Sequence, residues 1–329
     1  MLCDVESERL FSVVPLSPVV GWVEDGFSLM LRSFMPLLWL HGPSALALAG
    51  FQYTVWIAGG PALVDALTHP TPSTLWPVAG GWGLCALCMS GLLWSSVYLG
   101  SQVLALDGDS SRERVLSAFR QSGGRWGLVL KSWVHGLGAC GMALGGTFGV
   151  WLVGGLCTSL TALVLHPVLH LSWTALMFFL AVMFTVRLCR PLLAYVLLLP
   201  VIAAEGTGPY GEREAVSPLA RARLLLRAQV ASMGALTVLL LGVVLILHLG
   251  LAWVTDAVPF QHWSPQQLRD QGPEILARQS VRIWLAAPLW CVSGMILSAL
   301  PTAVYRSLRR IHPQLDDKTS VLSHAPRVP

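Results

Sequence analysis

Residues 171–204 read LSWTALMFFLAVMFTVRLCRPLLAYVLLLPVIAA, and among these 34 residues the formal charges are Arg187 and Arg190 alone. As one helix the stretch would reach about 50 Å at 1.5 Å per residue, against a hydrocarbon core of about 30 Å. It is a membrane span that must tilt or break on its way across. Pro191 and Pro200 are the expected break points, because each removes an amide donor and crowds the preceding turn.

The rest of the chain follows the same rule. Of 329 residues, 54% are hydrophobic and 12% charged, half the charge usual in soluble domains. Apolar segments at 34–58, 76–106, 132–156, 171–204, 230–254 and 283–305 give six spans. The expected fold is therefore all-α, a polytopic membrane bundle of six transmembrane helices. Residues 1–33 are expected to be a cytoplasmic N-terminus with an interfacial helix, 34–305 the transmembrane domain, and 306–329 a cytoplasmic disordered tail. The start, MLCDVESERL, is acidic and lacks the basic region and early apolar core of a signal peptide, so the first span is expected to be retained. His41-Gly42-Pro43 is expected to interrupt that span, and residues 61–72 to form the loop after it.

Charge sets the orientation. Sixteen of the 21 Lys and Arg residues fall in 1–33, 106–131, 205–227 and 306–329, and three fall in the opposite loops. By the positive-inside rule the first group and both termini are cytoplasmic. Low lysine and absent asparagine fit a bacterial genome and its inner membrane, and the lack of asparagine excludes N-glycosylation.

Stacking the segments reveals a repeat. Phe27, Met30, Leu31 and Phe34 follow the helical period of an interfacial helix. Ser110 and Glu113 have capping-box spacing, and Ser217-Pro218 and Ser264-Pro265-Gln267 read as further helix starts. Asp25-Gly26, Asp107-Gly108 and Glu205-Gly206 each precede an amphipathic stretch and an out-and-back pair of spans. Three hairpins on one plan are expected, in parallel rather than inverted repeats.

This order of a surface helix followed by hairpins, joined by VLALDGDSSRERVLSAFRQ and VIAAEGTGPYGEREAVSPLARARLLL, resembles the six-helix membrane domain attached to some bacterial glycerophosphodiester phosphodiesterases. The resemblance covers about residues 17 to 305 and implies an integral membrane module. It brings no catalytic residues, since the phosphodiesterase site belongs to a separate soluble domain.

Motifs for chemistry are sparse. Gly136, Gly138 and Gly141 spell GxGxxG, but no strand precedes them, so they do not cradle a dinucleotide. Gly141, Gly145 and Gly149 recur every four residues, a spacing that lets helices approach in lipid and would place the third span centrally. Cys85 and Cys88 form a CxxC inside an apolar helix and read as packing residues. His166 and His170 have the i, i+4 spacing of metal ligands but no third ligand nearby. His41, His135 and His248 could hold haem only if the spans paired them. No metal, cofactor or nucleic-acid partner is expected, and no enzyme signature occurs.

Arg187 and Arg190 are the leading site residues, because charges inside a span are costly and usually face a cavity or partner. With no carboxylate in the six spans, an anionic phospholipid or solute would supply the counter-ion. The favoured function is a non-enzymatic scaffold or assembly factor of the cell membrane, with a membrane-protein partner or second copy. The alternative is a transporter or lipid-handling protein.

Overall fold

A computed structural model describes residues 18–69, 71–106, 110–162, 167–205, 218–227, 229–254, 274 and 277–311. Every regular element among them is helical. Ten helices follow in order: α1 (Pro18–Arg32), α2 (Phe34–Thr68), α3 (Pro72–Ala105), α4 (Ser111–Ser122), α5 (Trp126–Ala162), α6 (Pro167–Cys189), α7 (Leu193–Glu205), α8 (Pro218–Leu226), α9 (Val230–Val254) and α10 (Ala287–Ile311). Helical residues 277–285 lead into α10, and a 3₁₀ turn, Arg190–Leu192, joins α6 to α7. Among the described residues, six helical segments are long and apolar enough to cross a membrane. The protein is an all-α polytopic bundle.

The breaks differ from expectation in instructive ways. Pro191 lies in the 3₁₀ turn, where its missing amide leaves the carbonyl one turn earlier unbonded and the helix tightens. Pro200 sits inside a continuous α7, and Pro43 and Pro61 inside a continuous α2. In lipid, breaking a helix exposes several backbone groups with no water to satisfy them, so a single lost bond is the smaller cost. The first span therefore runs on through residues expected to be a loop and takes in Asp65, a carboxylate within its bounds. The last helix likewise continues past Tyr305 to Ile311. Ser110 caps α4 by accepting from the Glu113 amide at 3.2 Å, and α8 opens at Pro218. The helix expected from 264 lies outside the described residues.

Each hairpin consists of a short helix, an outbound span and a return span: α1–α2–α3, α4–α5–α6/α7 and α8–α9–α10. The three return helices α3, α7 and α10 touch one another pairwise and form the centre. Each short helix packs on the preceding return helix, α4 on α3 and α8 on α7. For α1 no earlier hairpin is described, and it packs on α10, so the ring closes. Pro200 and Pro301 take matching places in α7 and α10, with Glu205 and Arg306 following at the same interval. The acid-glycine repeat does not extend to Asp25-Gly26, which lies inside α1.

Closure depends on a second face of α1. Phe27, Leu31 and Phe34 stay exposed, as an interfacial stripe must. Trp22 and Gly26, one turn apart, are buried against α10. Trp22 Nε1 donates to Ser307 Oγ at 3.3 Å, and a Cβ on Gly26 would overlap the Leu300 side chain. Farther along, His41 meets Gly294, and a Cβ on Gly50 would lie 3.9 Å from the Trp284 ring. Thus α1 and α2 run antiparallel to the last span along its length.

Burial is concentrated at one end. All of Ser96 through Leu104, Leu197 through Ala203 and Ser298 through Tyr305 are buried, so these return-helix segments are enclosed on every side. This end holds Arg125, Arg221, Arg306 and Arg309, and we call it the basic end. The α5–α6 hairpin contrasts with it. Apart from contacts near the turn and with α3 and α7, its helices pack on each other and expose Phe148, Leu152, Phe178 and Met183. The third span is therefore peripheral, and the centre belongs to α3, α7 and α10.

Candidate functional site

The expected site residues fall on the hairpin arm. Arg187 closes α6 and Arg190 opens the 3₁₀ turn, and both side chains are exposed rather than turned into the bundle. Cations are favourable at a helix C-terminus, where the last carbonyls carry partial negative charge. Among the described residues neither guanidinium has an ion-pair partner.

Gly141, Gly145 and Gly149 are also displaced from expectation, since a Cβ on any of them would meet nothing within 4 Å. Close packing falls instead on Gly146, where a Cβ would lie 3.1 Å from Leu188 Cδ1, and on Gly136, where it would lie 3.5 Å from Tyr195 Cδ1. A four-residue stripe drifts round the helix, so the glycines that meet a neighbour are those matched to its side chains, whatever their spacing.

The histidine that the structure singles out is His41, which is 2% exposed and lies where α2, α3 and α10 meet. Its Nδ1 is 2.8 Å from Ser96 Oγ and its Nε2 3.1 Å from Ser298 Oγ. Ser298 donates its own hydrogen to the Gly294 carbonyl at 2.9 Å. Its oxygen therefore accepts from Nε2–H, and Ser96 donates to Nδ1. The assignment gives a neutral imidazole in a directed chain through three helices. Gly100 and Gly294 make room for it: a Cβ at either would lie 2.8 Å or 2.6 Å from a ring nitrogen. Ser293, next to Gly294 in the chain, is buried with a hydroxyl that has no partner among the described residues.

A second polar cluster forms where the return helices end. Gln102 Nε2 donates to Tyr98 Oη at 3.1 Å and to the Ala203 carbonyl at 3.0 Å, and Arg125 Nη1 donates to that same carbonyl at 3.1 Å. Arg306 Nη2 donates to the Leu104 carbonyl. These cations thus cap the unpaired carbonyls of α7 and α3, satisfying groups that each helix end leaves open. Glu205 pairs with Arg221 at 2.8 Å and accepts from Tyr305 Oη at 2.7 Å, while Arg309 Nη1 donates to that phenol oxygen at 3.3 Å. The carboxylate links α7, α8 and α10. Of these residues the sequence marks Glu205 through its glycine and Gln102 as a polar residue inside a span. Nothing local marks Tyr305 or Arg306, whose partners Glu205 and the Leu104 carbonyl lie on other hairpins.

The remaining candidates stay apart. His135 Nδ1 donates to the Lys131 carbonyl at 2.7 Å and His248 Nδ1 to the Val244 carbonyl at 2.8 Å, so neither is paired with His41. His166 lies outside the described residues, and His170 Nε2 donates to the Thr158 carbonyl at 3.0 Å. Cys85 is buried and Cys88 exposed, both free thiols. Among the described residues no group of three or more His, Cys, Asp or Glu side chains could hold a metal. Comparison with protein-family models, curated proteins and solved structures gives no match.

Proposed function

We propose that this chain is a non-enzymatic scaffold of a bacterial cell membrane, its basic end and both termini in the cytoplasm. One observation carries the reading. The groups that could do chemistry at the centre, His41, Gln102, Glu205 and Arg306, are engaged with other helices and serve as cross-links between hairpins. Polar contacts of this kind, made across closely approaching helices, stabilise and specify membrane bundles. A rigid centre then carries the α5–α6 hairpin and α9 outward, with apolar faces available to a membrane-protein partner or a second copy. The resemblance to phosphodiesterase-linked membrane domains supports the same role. A transporter holding an anionic solute within the bundle would need Arg187 and Arg190 turned inward, and both are exposed.

The test is assembly. Protein released in mild detergent and weighed by native mass spectrometry should carry another polypeptide, or a second copy, at fixed stoichiometry. Leu241→Arg on α9 or Phe148→Arg on α5 should abolish that assembly while leaving the protein folded. A single copy under every mild extraction, unaffected by either substitution, would overturn the scaffold reading.

A further inference from the structure

The α5–α6 hairpin contains an apolar cleft of about 470 Å³, lined by Gly149, Val153 and Cys157 on α5 and by Met177, Ala181 and Phe184 on α6. From Gly146 to Cys157 the cleft extends about 16 Å along α5 at 1.5 Å per residue. Its α6 residues recur at helical spacing, so the next turn brings Arg187 and Leu188 onto or beside the same face. Leu188 packs on Gly146, which also lines the cleft, and so closes one end. Arg187 stands exposed beside that closed end, in the last turn of α6, whose 23 residues by themselves match the thickness of a hydrocarbon core of about 30 Å.

We propose that this cleft binds one acyl chain of an anionic phospholipid, whose phosphate is gripped by Arg187 with Arg190 adding charge. The inference does not depend on the scaffold reading. Three features select this occupant. The lining is apolar on both helices and opens to the surface that lipid covers, so an acyl chain enters without leaving hydrocarbon. A transmembrane helix, about 10–12 Å across, would need well over 1,000 Å³ along the same length and could rest on the cleft but not enter it. The two guanidiniums have no ion-pair partner among the described residues, and a charge at the lipid-facing surface of a span is costly without a counter-charge. A second copy is a poor source, because the carboxylates within its span bounds all lie near span ends: Asp65 near the far end of α2, Glu113 in the first turn of α4, and Glu205, paired with Arg221. Phosphate matches the planar guanidinium fork with two parallel hydrogen bonds.

The test uses the full chain in nanodiscs that mix phosphatidylglycerol and phosphatidylcholine, followed by native mass spectrometry of the retained lipid. The wild type should retain phosphatidylglycerol in preference. Arg187→Ala with Arg190→Ala should lower that retention roughly tenfold, the loss expected for a charge-assisted pair. Gly149→Phe should lower it comparably with both arginines intact, because the new ring occupies the cleft from a position where a Cβ meets nothing within 4 Å. Gly145→Phe, equally open but absent from the cleft lining, should retain lipid as the wild type does. Inorganic phosphate should not displace the lipid, since it offers no chain. Retention unchanged in Gly149→Phe, no preference between the two lipids, displacement by phosphate alone, or a protein seated on the cleft in place of lipid would each overturn the proposal.

Discussion

Gly145 and Gly146 are neighbours in the chain and face different surroundings. A side chain at 146 must displace Leu188, whereas one at 145 enters open space. Gly146→Leu should destabilise the protein by about 1–3 kcal/mol, the usual cost of overpacking, and Gly145→Leu by less than about 0.5 kcal/mol. Thermal unfolding of both variants in one detergent checks the pair; equal effects would mean that the hairpin does not pack through Gly146. His41 poses a sharper contrast with its neighbour Ser293. His41→Ala leaves a void and strands the hydroxyl of Ser96, at a cost of about 3 kcal/mol. Ser293→Ala removes a buried hydroxyl that has no partner among the described residues and should be neutral or stabilising. The same melting measurement decides it, and a large loss at Ser293 would imply a partner beyond the described residues.

At the scale of the element, α1 depends on a single close approach. Gly26 lets its backbone come within reach of the Leu300 backbone, where a Cβ would stand 3.2 Å from Leu300 Cα. Gly26→Val should therefore lift α1 from α10 while the spans stay formed. Hydrogen exchange should show faster exchange across residues 18–32 and little change in residues 96–104. Unaltered protection of α1 would mean that Trp22 and the exposed stripe suffice to hold it. The return helices behave differently because their ends are capped in trans. Arg306→Gln keeps a donor but removes the charge opposing the α3 dipole, so it should cost about 1 kcal/mol, and Arg306→Ala more.

The whole molecule is a ring of three hairpins, and a ring closed by packing tolerates a cut between hairpins. Fragments 1–211 and 212–329, expressed together, should co-purify, because α8 and α10 retain their contacts with α7 and α3. Arg221→Ala should weaken the pair by removing the Glu205 ion pair across the cut. Fragments that never associate would mean that the chain connection, and not the packing, holds the third hairpin. Orientation is tested separately. A reporter fused at Ser217 should be active in the cytoplasm, since most of the basic residues share that side.

Hydropathy alone determined that this chain is helical and that six of its segments are long and apolar enough to cross a membrane. Those properties follow from local composition: in lipid every backbone group must be satisfied within its own helix, so an apolar segment of sufficient length has one stable form. Pro191 as a breaking point and Ser110 as a cap were legible for the same reason, because each acts on bonds within one turn. The tertiary structure alone decided which span is central, which glycine packs, and that His41 joins Ser96 and Ser298 across 55 and 257 residues of chain. It also decided that Arg187 and Arg190 face outward. Except for the last span, which ends in Arg306, Arg309 and Arg310, the spans are apolar on nearly every side, so no amphipathic stripe tells one face from another. The choice falls to van der Waals fit and a few buried hydrogen bonds, which depend on partners that sequence distance hides.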